Sequence, residues 1–213
     1  MLKCDYKLFY VIVLTAALVC STGLTSEVSK EQQLTNNIVG MWNDWCDREN
    51  LRADHPRRAM FRPYAKSLVE HVKYYQDHPT SIGGQLPPGT NVYYIVASMI
   101  IHETAMKHWL IGYKRGEVGL LQIHGSWARH GNKRRKIQND YDLGMKLGIR
   151  WLAYHTQFCR PNLTGNINQW AETLSLYAAG RTGGMREDGQ CKKISVARKR
   201  VNTAKRYLRK INK

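Results

Sequence analysis

Residues 90–104, TNVYYIVASMIIHET, carry Val92, Ile95, Val96, Met99 and Ile100 at intervals of three, one, three and one. Apolar residues recurring at such intervals mark one face of a helix. The stretch predicts a helix starting near Thr90, nearly all apolar until His102 and Glu103. A carboxyl at that end is partly stripped of water, which disfavours its charged form and raises its pKa. A raised pKa keeps the acid protonated near neutral pH, as a general acid requires. Glu103 is therefore the first candidate for chemistry. The plainer use of the same residue is a solvated helix-end Glu, or one paired with Lys107 or Arg115.

The helical pattern extends in both directions. Upstream, Ile38, Met41, Trp42, Trp45 and Cys46 recur at helical spacing, with Thr35 or Asn36 available as an N-cap. Phe61, Tyr64, Leu68, Val72 and Tyr75 form a second stripe, and PTSIGGQLPPGT (79–90) reads as a loop with three Pro and three Gly. Downstream, Tyr141, Met145, Leu147, Trp151 and Leu152 mark one helix. Ile167, Trp170, Leu174 and Tyr177 mark another, stopped by Gly180. Ile194, Ala197, Val201, Ala204, Leu208 and Ile211 repeat at 3, 4, 3, 4, 3, an amphipathic helix over about 194–211 with an apolar seam. No alternating strands, internal repeat or Pro/Ser-rich linker interrupts the series. The expected fold is one mainly α domain over 27–213.

Three further pieces stand beside Glu103. Thr104 follows it directly. Gly119-Leu120-Leu121-Gln122-Ile123 begins sixteen residues later, entered through Gly116. Leu176-Tyr177-Ala178-Ala179-Gly180 closes a later helix. Together they resemble the soluble lytic transglycosylase family, relatives of goose-type lysozyme. That family shows an E-S/T pair, then G-x-x-G-L-M-Q, then A-Y-N-A-G. The resemblance covers roughly residues 90–182 and implies a lysozyme-like helical domain that degrades peptidoglycan. It implies that Glu103 is the catalytic acid/base and Thr104 its small hydroxyl neighbour. It further implies that Gly119, Leu120, Gln122 and Ile123 line the cleft, with Gln122 touching sugar, and that Tyr177 lies near the catalytic carboxyl. Ala178 departs from the pattern, since the family has Asn there, and Leu121 replaces Met at similar volume.

The number of carboxyls separates two mechanisms. Glycoside hydrolases use a pair, an acid and a base or nucleophile. Goose-type hydrolases place an Asp directly after the G-L-M-Q-x stretch, where this chain has His124. Glu117, on the approach to Gly119, is the remaining candidate for a second carboxylate. Asp140 and Asp142 read as acids at the start of the Tyr141 helix, favoured by its dipole. One strong carboxyl fits a lytic transglycosylase, which closes the muramoyl sugar on itself. Water-dependent hydrolysis by a goose-type muramidase, including a phage endolysin, is the alternative. A catalytically inactive wall-binding or assembly protein is a further one. His102 and His124 do not form an H-E-x-x-H spacing and no C-x-x-C occurs, so neither a metal nor another cofactor is expected.

Composition sets the setting. The 213 residues are 43% hydrophobic, with 6 Trp, 12 Tyr and 3 Phe, too apolar and aromatic for a disordered chain. Residues 1–26 read as an export signal or membrane anchor. Lys3 and Lys7 lead, an apolar stretch spans 8–24, and Ser21, Thr22, Gly23 and Ser26 supply small residues for cleavage. The expected location is the periplasm or the outer face of the cytoplasmic membrane, or a host's periplasm for a phage protein. Outside the leader remain Cys46, Cys159 and Cys191, which allow three pairings. Cys159 and Cys191 lie near loops and are the favoured pair, while Cys46 reads as a small core residue.

The net charge of +17 asks for an anionic partner. From Cys191 to Lys213 there are 10 Lys or Arg and no acid, and Lys133-Arg134-Arg135-Lys136 forms a second cluster. Phosphate neutralisation would use such charge, but nucleic-acid binding accounts for neither the leader nor the three motifs. The expected partner is the glycan strand of peptidoglycan, met by a monomer, with no nucleic acid bound.

Overall fold

The computed structural model describes residues 28–111, 116–123, 133–159, 166–188 and 190–212. The export or anchor segment at 1–26, its apolar stretch at 8–24, and His124 lie outside them. The chain forms two compact units, Met1–Lys30 and Glu31–Lys213. Nearly all described residues belong to the second.

That unit is mainly helical. Its helices are α1 (Lys30–Arg48), α2 (Pro56–Ala59), α3 (Phe61–Asp77), α4 (Asn91–Thr104), α5 (Lys133–Asn139), α6 (Tyr141–Cys159), α7 (Trp170–Gly184) and α8 (Ser195–Ile211). A 3-10 turn, Ile167–Gln169, leads into α7. Among the described residues no helix is long and apolar enough to cross a membrane.

Helix α4 is the hub. Eleven of its side chains, from Val92 to Thr104, are buried. A helix apolar on all sides must be covered on all sides. α8 packs along it and α3 flanks it, while α3 also packs on α6, and α7 on both α6 and α8. Trp42 of α1 is fully buried and donates its indole N–H to the Ala97 carbonyl of α4 at 3.1 Å. Trp42 also meets Phe61 edge to face.

The apolar stripes fall on these helices, but three details differ from the pattern. α1 begins at Lys30, ahead of the expected caps. Thr35 is inside the helix and bonds back to the Glu31 carbonyl four residues earlier, a use open to Thr within a helix. α5 carries a single buried residue, Ile137, so no periodicity announced it. The helical segment α7 continues past Gly180 to Gly184, but not straight. A Cβ at Gly184 would lie 2.6 Å from Leu176 Cα, whereas eight residues of straight helix rise about 12 Å. The chain doubles back there, and Cys191, just beyond, is disulfide-bonded to Cys159 at the end of α6, with Cα atoms 5.4 Å apart. Cys46 is a buried free thiol whose pKa burial pushes up.

Candidate active site

Glu103 is the next-to-last residue of α4. The helix stops one residue later because Ala105 turns left-handed, at φ 47°, and Met106 follows at φ 66°. Such a cap is usually Gly, and each non-Gly residue held there costs about 1 kcal/mol or more. The surroundings hold both in place. The Ala105 N–H donates to the Ile101 carbonyl, its own carbonyl accepts from Arg57 Nη1 at 3.2 Å, and Met106 is fully buried. The break directs the chain away from α4 immediately after Glu103.

Sixteen residues on, the motif beginning at Gly119 forms a tight turn. Val118 and Ile123 exchange backbone hydrogen bonds in both directions, at 3.1 and 2.9 Å, and Val118 also bridges to Ile111. Gly119 takes φ 80° and Gln122 φ 47°. The Gln122 amide donates to the Gly119 carbonyl at 3.0 Å and to the Leu110 carbonyl at 3.2 Å. It thus ties the turn to the segment leaving α4. Below, Val118, Ile123 and Ile137 form a small buried cluster. A Cβ at Gly148 of α6 would come within 2.6 Å of the Leu121 side chain, so a glycine there lets the turn seat on α6.

Two carbonyls of this turn join the three motif pieces. The Thr104 hydroxyl donates to the Ile100 carbonyl at 3.1 Å and reaches that of Leu120 at 3.4 Å. The Tyr177 hydroxyl, from α7, donates to the Leu121 carbonyl at 2.7 Å. Thr104, Leu120, Ile123 and Tyr177 are all buried, and the hydroxyls of Thr104 and Tyr177 brace the turn from within. Ala178, next to Tyr177, is exposed.

Glu103 itself is mostly enclosed, its side chain 16% exposed. Burial raises its carboxyl above the ordinary range, the Arg200 guanidinium pulls it down, and the negative charge of Glu117 raises it again; burial prevails. Glu117 is half-buried. Tyr177 is held neutral, first by burial and then by the charge of Glu103. It remains a hydrogen-bond donor at any ordinary pH.

Asp140 and Asp142 are committed elsewhere. Asp140 caps α6, accepting from the Leu143 N–H at 3.0 Å. Asp142 accepts from Ser67 Oγ at 2.6 Å and pairs with His71 Nε2 at 3.0 Å. Burial works against its charge, but these bonds and the charges of His71 and Lys146 hold the carboxyl below its usual value.

One member of the site was not foreseen. Arg200, on α8, is 3% exposed and forms an ion pair with Glu103. A signal existed: positions 197, 200, 201 and 204 follow helical seam spacing, and all four are buried. The amphipathic pattern assigned the cations of α8 to its outer face, and Arg200 is the exception. Nearby, His102 Nε2 bonds Thr203 Oγ1 at 2.9 Å, a second tie between α4 and α8. Among the described residues, no group of three or more His, Cys, Asp or Glu stands where it would hold a metal ion. Comparison with protein-family models, with curated proteins and with solved structures finds no match.

Proposed function

We propose that this protein is a lytic transglycosylase that cleaves the β-1,4 bond between N-acetylmuramic acid and N-acetylglucosamine in peptidoglycan. The observation that carries the proposal is convergence. A mostly enclosed carboxyl at the end of α4, its pKa raised by burial, adjoins Thr104, whose hydroxyl, with that of Tyr177, engages the Leu120 and Leu121 carbonyls of the turn. These are the same three pieces on which the resemblance to the soluble lytic transglycosylases rests. They are far apart in sequence, and the core that buries Leu120, Leu121 and Tyr177 brings them together beside Glu103.

In this reading Glu103 serves twice. Protonated, it gives its proton to the glycosidic oxygen as the bond to the muramoyl C1 breaks. As carboxylate, it then takes the proton of the muramoyl 6-hydroxyl, whose oxygen bonds to C1. The products are a free 4-hydroxyl on N-acetylglucosamine and a 1,6-anhydromuramoyl end. The proton returns to Glu103 and no water is consumed. The desolvated position suits both steps, because it brings the pKa toward the working pH. Gln122, Thr104 and Tyr177 act in this scheme by holding the turn against Glu103. Neither metal nor cofactor enters it.

The reading includes an exported monomer acting on glycan strands outside the cytoplasmic membrane. The exposed cations of α8 and of Lys133–Lys136 hold it on an anionic wall polymer, an attraction screened beyond about 8–10 Å at physiological salt. One observation favours a second mechanism. Glu117 is close enough to act on the charge of Glu103, and as a base it would direct water to the same bond, as in a goose-type muramidase. A zymogram on purified sacculi tests the shared claim: the wild-type protein clears the wall and Glu103→Gln does not. Clearance by Glu103→Gln, or none by the wild type, overturns it.

A further inference from the structure

The motif pieces end at Gly180, yet the cation that meets Glu103 comes from α8. Among the described residues Arg200 is the ion-pair partner of Glu103. It sits in the apolar seam of α8, between Ala197, Val201 and Ala204. Its Nε and Nη1 are buried with no hydrogen-bond partner among the described residues. A guanidinium carries five N–H donors, and leaving three of them dry costs free energy. A seam that only had to pack would do as well with an apolar side chain, since replacing a buried ion pair by hydrophobic residues is often neutral or stabilising. The arrangement is explained if the charge itself is used. Buried polar groups left unsatisfied call for such an explanation.

We propose that Arg200 is a positioning residue for the reaction at Glu103: its guanidinium fixes the orientation of the carboxyl and supplies the positive charge against which that carboxyl gives up and regains its proton. The proposal rests on Glu103 being the acid/base of the preceding reading. Three groups bear on Glu103 from three elements: Arg200 from α8, Tyr177 from α7 and Glu117 from the approach to the turn. Tyr177 stays neutral. Burial and Glu117 favour the protonated acid, and Arg200 alone of the three favours the carboxylate. An acid that must also serve as base needs such a counterweight. Without it the proton would leave too reluctantly for the first step and return too readily before the second.

The sign of the effect follows. General-acid catalysis fails as pH rises through the pKa of Glu103, so that pKa sets the basic limb of the pH profile. Arg200→Met removes the group that lowers it. The basic limb of kcat/KM on sacculi should move up by about one pH unit or more, as expected for loss of a cation in contact with a carboxyl. Arg200→Lys keeps a charge but loses the planar fork. Its limb should stay near the wild type while kcat falls about tenfold, from looser orientation, and KM holds.

The direct readout is the titration of Glu103 by carbon NMR of side-chain-labelled glutamate, with the resonance assigned by its loss in Glu103→Gln. This needs no turnover. If the protein cuts no glycan, the function fails while the NMR titration still judges whether Arg200 sets the carboxyl. An unmoved Glu103 titration in folded Arg200→Met overturns the proposal. Should Arg200→Met not fold, a kcat for Arg200→Lys equal to the wild type overturns it instead.

Discussion

Replacing Tyr177 by Phe removes one oxygen and nothing else, and the site depends on that oxygen in a specific way. The hydroxyl donates to the Leu121 carbonyl at 2.7 Å across a sequence separation of 56. Leu121 is fully buried, so its carbonyl has no direct route to bulk water. A buried acceptor deprived of its donor costs about 1–3 kcal/mol. In a domain of this size each kcal/mol lowers Tm by about 2–4 °C, so Tyr177→Phe should lower it by roughly 2–12 °C. Activity should fall further than stability. The lost bond is the one joining α7 to the turn beside Glu103, and a displacement of about 1 Å there can cost a hundredfold in rate. Differential scanning calorimetry and wall-clearance rates, measured well below the lowered Tm, separate the two effects. A variant with wild-type Tm and rate would refute the claim that Tyr177 anchors the turn.

Three further changes probe the turn and the chain around it. Gly119→Ala places a Cβ 2.9 Å from Ile137 Cγ2 at a φ of 80°, and should cost about 2 kcal/mol from left-handed strain plus crowding. Gly89→Ala is its control: φ is 103°, but beyond the adjoining residues no atom lies within 4 Å of the added Cβ, so it carries the positive-φ strain without the crowding, should cost less and should leave activity intact. Equal losses from both, read by chemical denaturation, would contradict the close packing of the turn on α5. Removing the Cys159–Cys191 disulfide by double Ser substitution opens a link of 32 residues' separation. It should cost about 3–4 kcal/mol and lower Tm by roughly 10 °C. An unchanged Tm would mean that the bond does not constrain the chain.

The parts of the molecule that follow one-dimensional patterns were legible in the residues. α4 announced itself through Val92 to Ile100, and α8 through the 3, 4, 3, 4, 3 seam from Ile194 to Ile211. Periodicity reports burial, and burial is what these helices do. The partly desolvated Glu103 followed from the same logic. What escaped was set by three-dimensional meeting. The ends of Thr104 and Tyr177 bond to backbone carbonyls of Leu120 and Leu121, and no side-chain pattern encodes a carbonyl. The left-handed Ala105 and Met106 escaped because residues of those types seldom adopt positive φ. Arg200 escaped because a cation in a helix rich in cations reads as solvated surface. Only its place on the seam, three residues after Ala197, set it apart. α5 escaped because Ile137 is its single buried residue.

The chemistry of the new chain end is the most direct test of the central claim. Sacculi digested with the purified protein are analysed by mass spectrometry of the released muropeptides. Glu103 acting alone as acid and then base yields 1,6-anhydromuramoyl ends, and Glu103→Gln yields none. Reducing-end muramic acid from the wild-type protein would contradict the transglycosylase account and make Glu117 the group to mutate next.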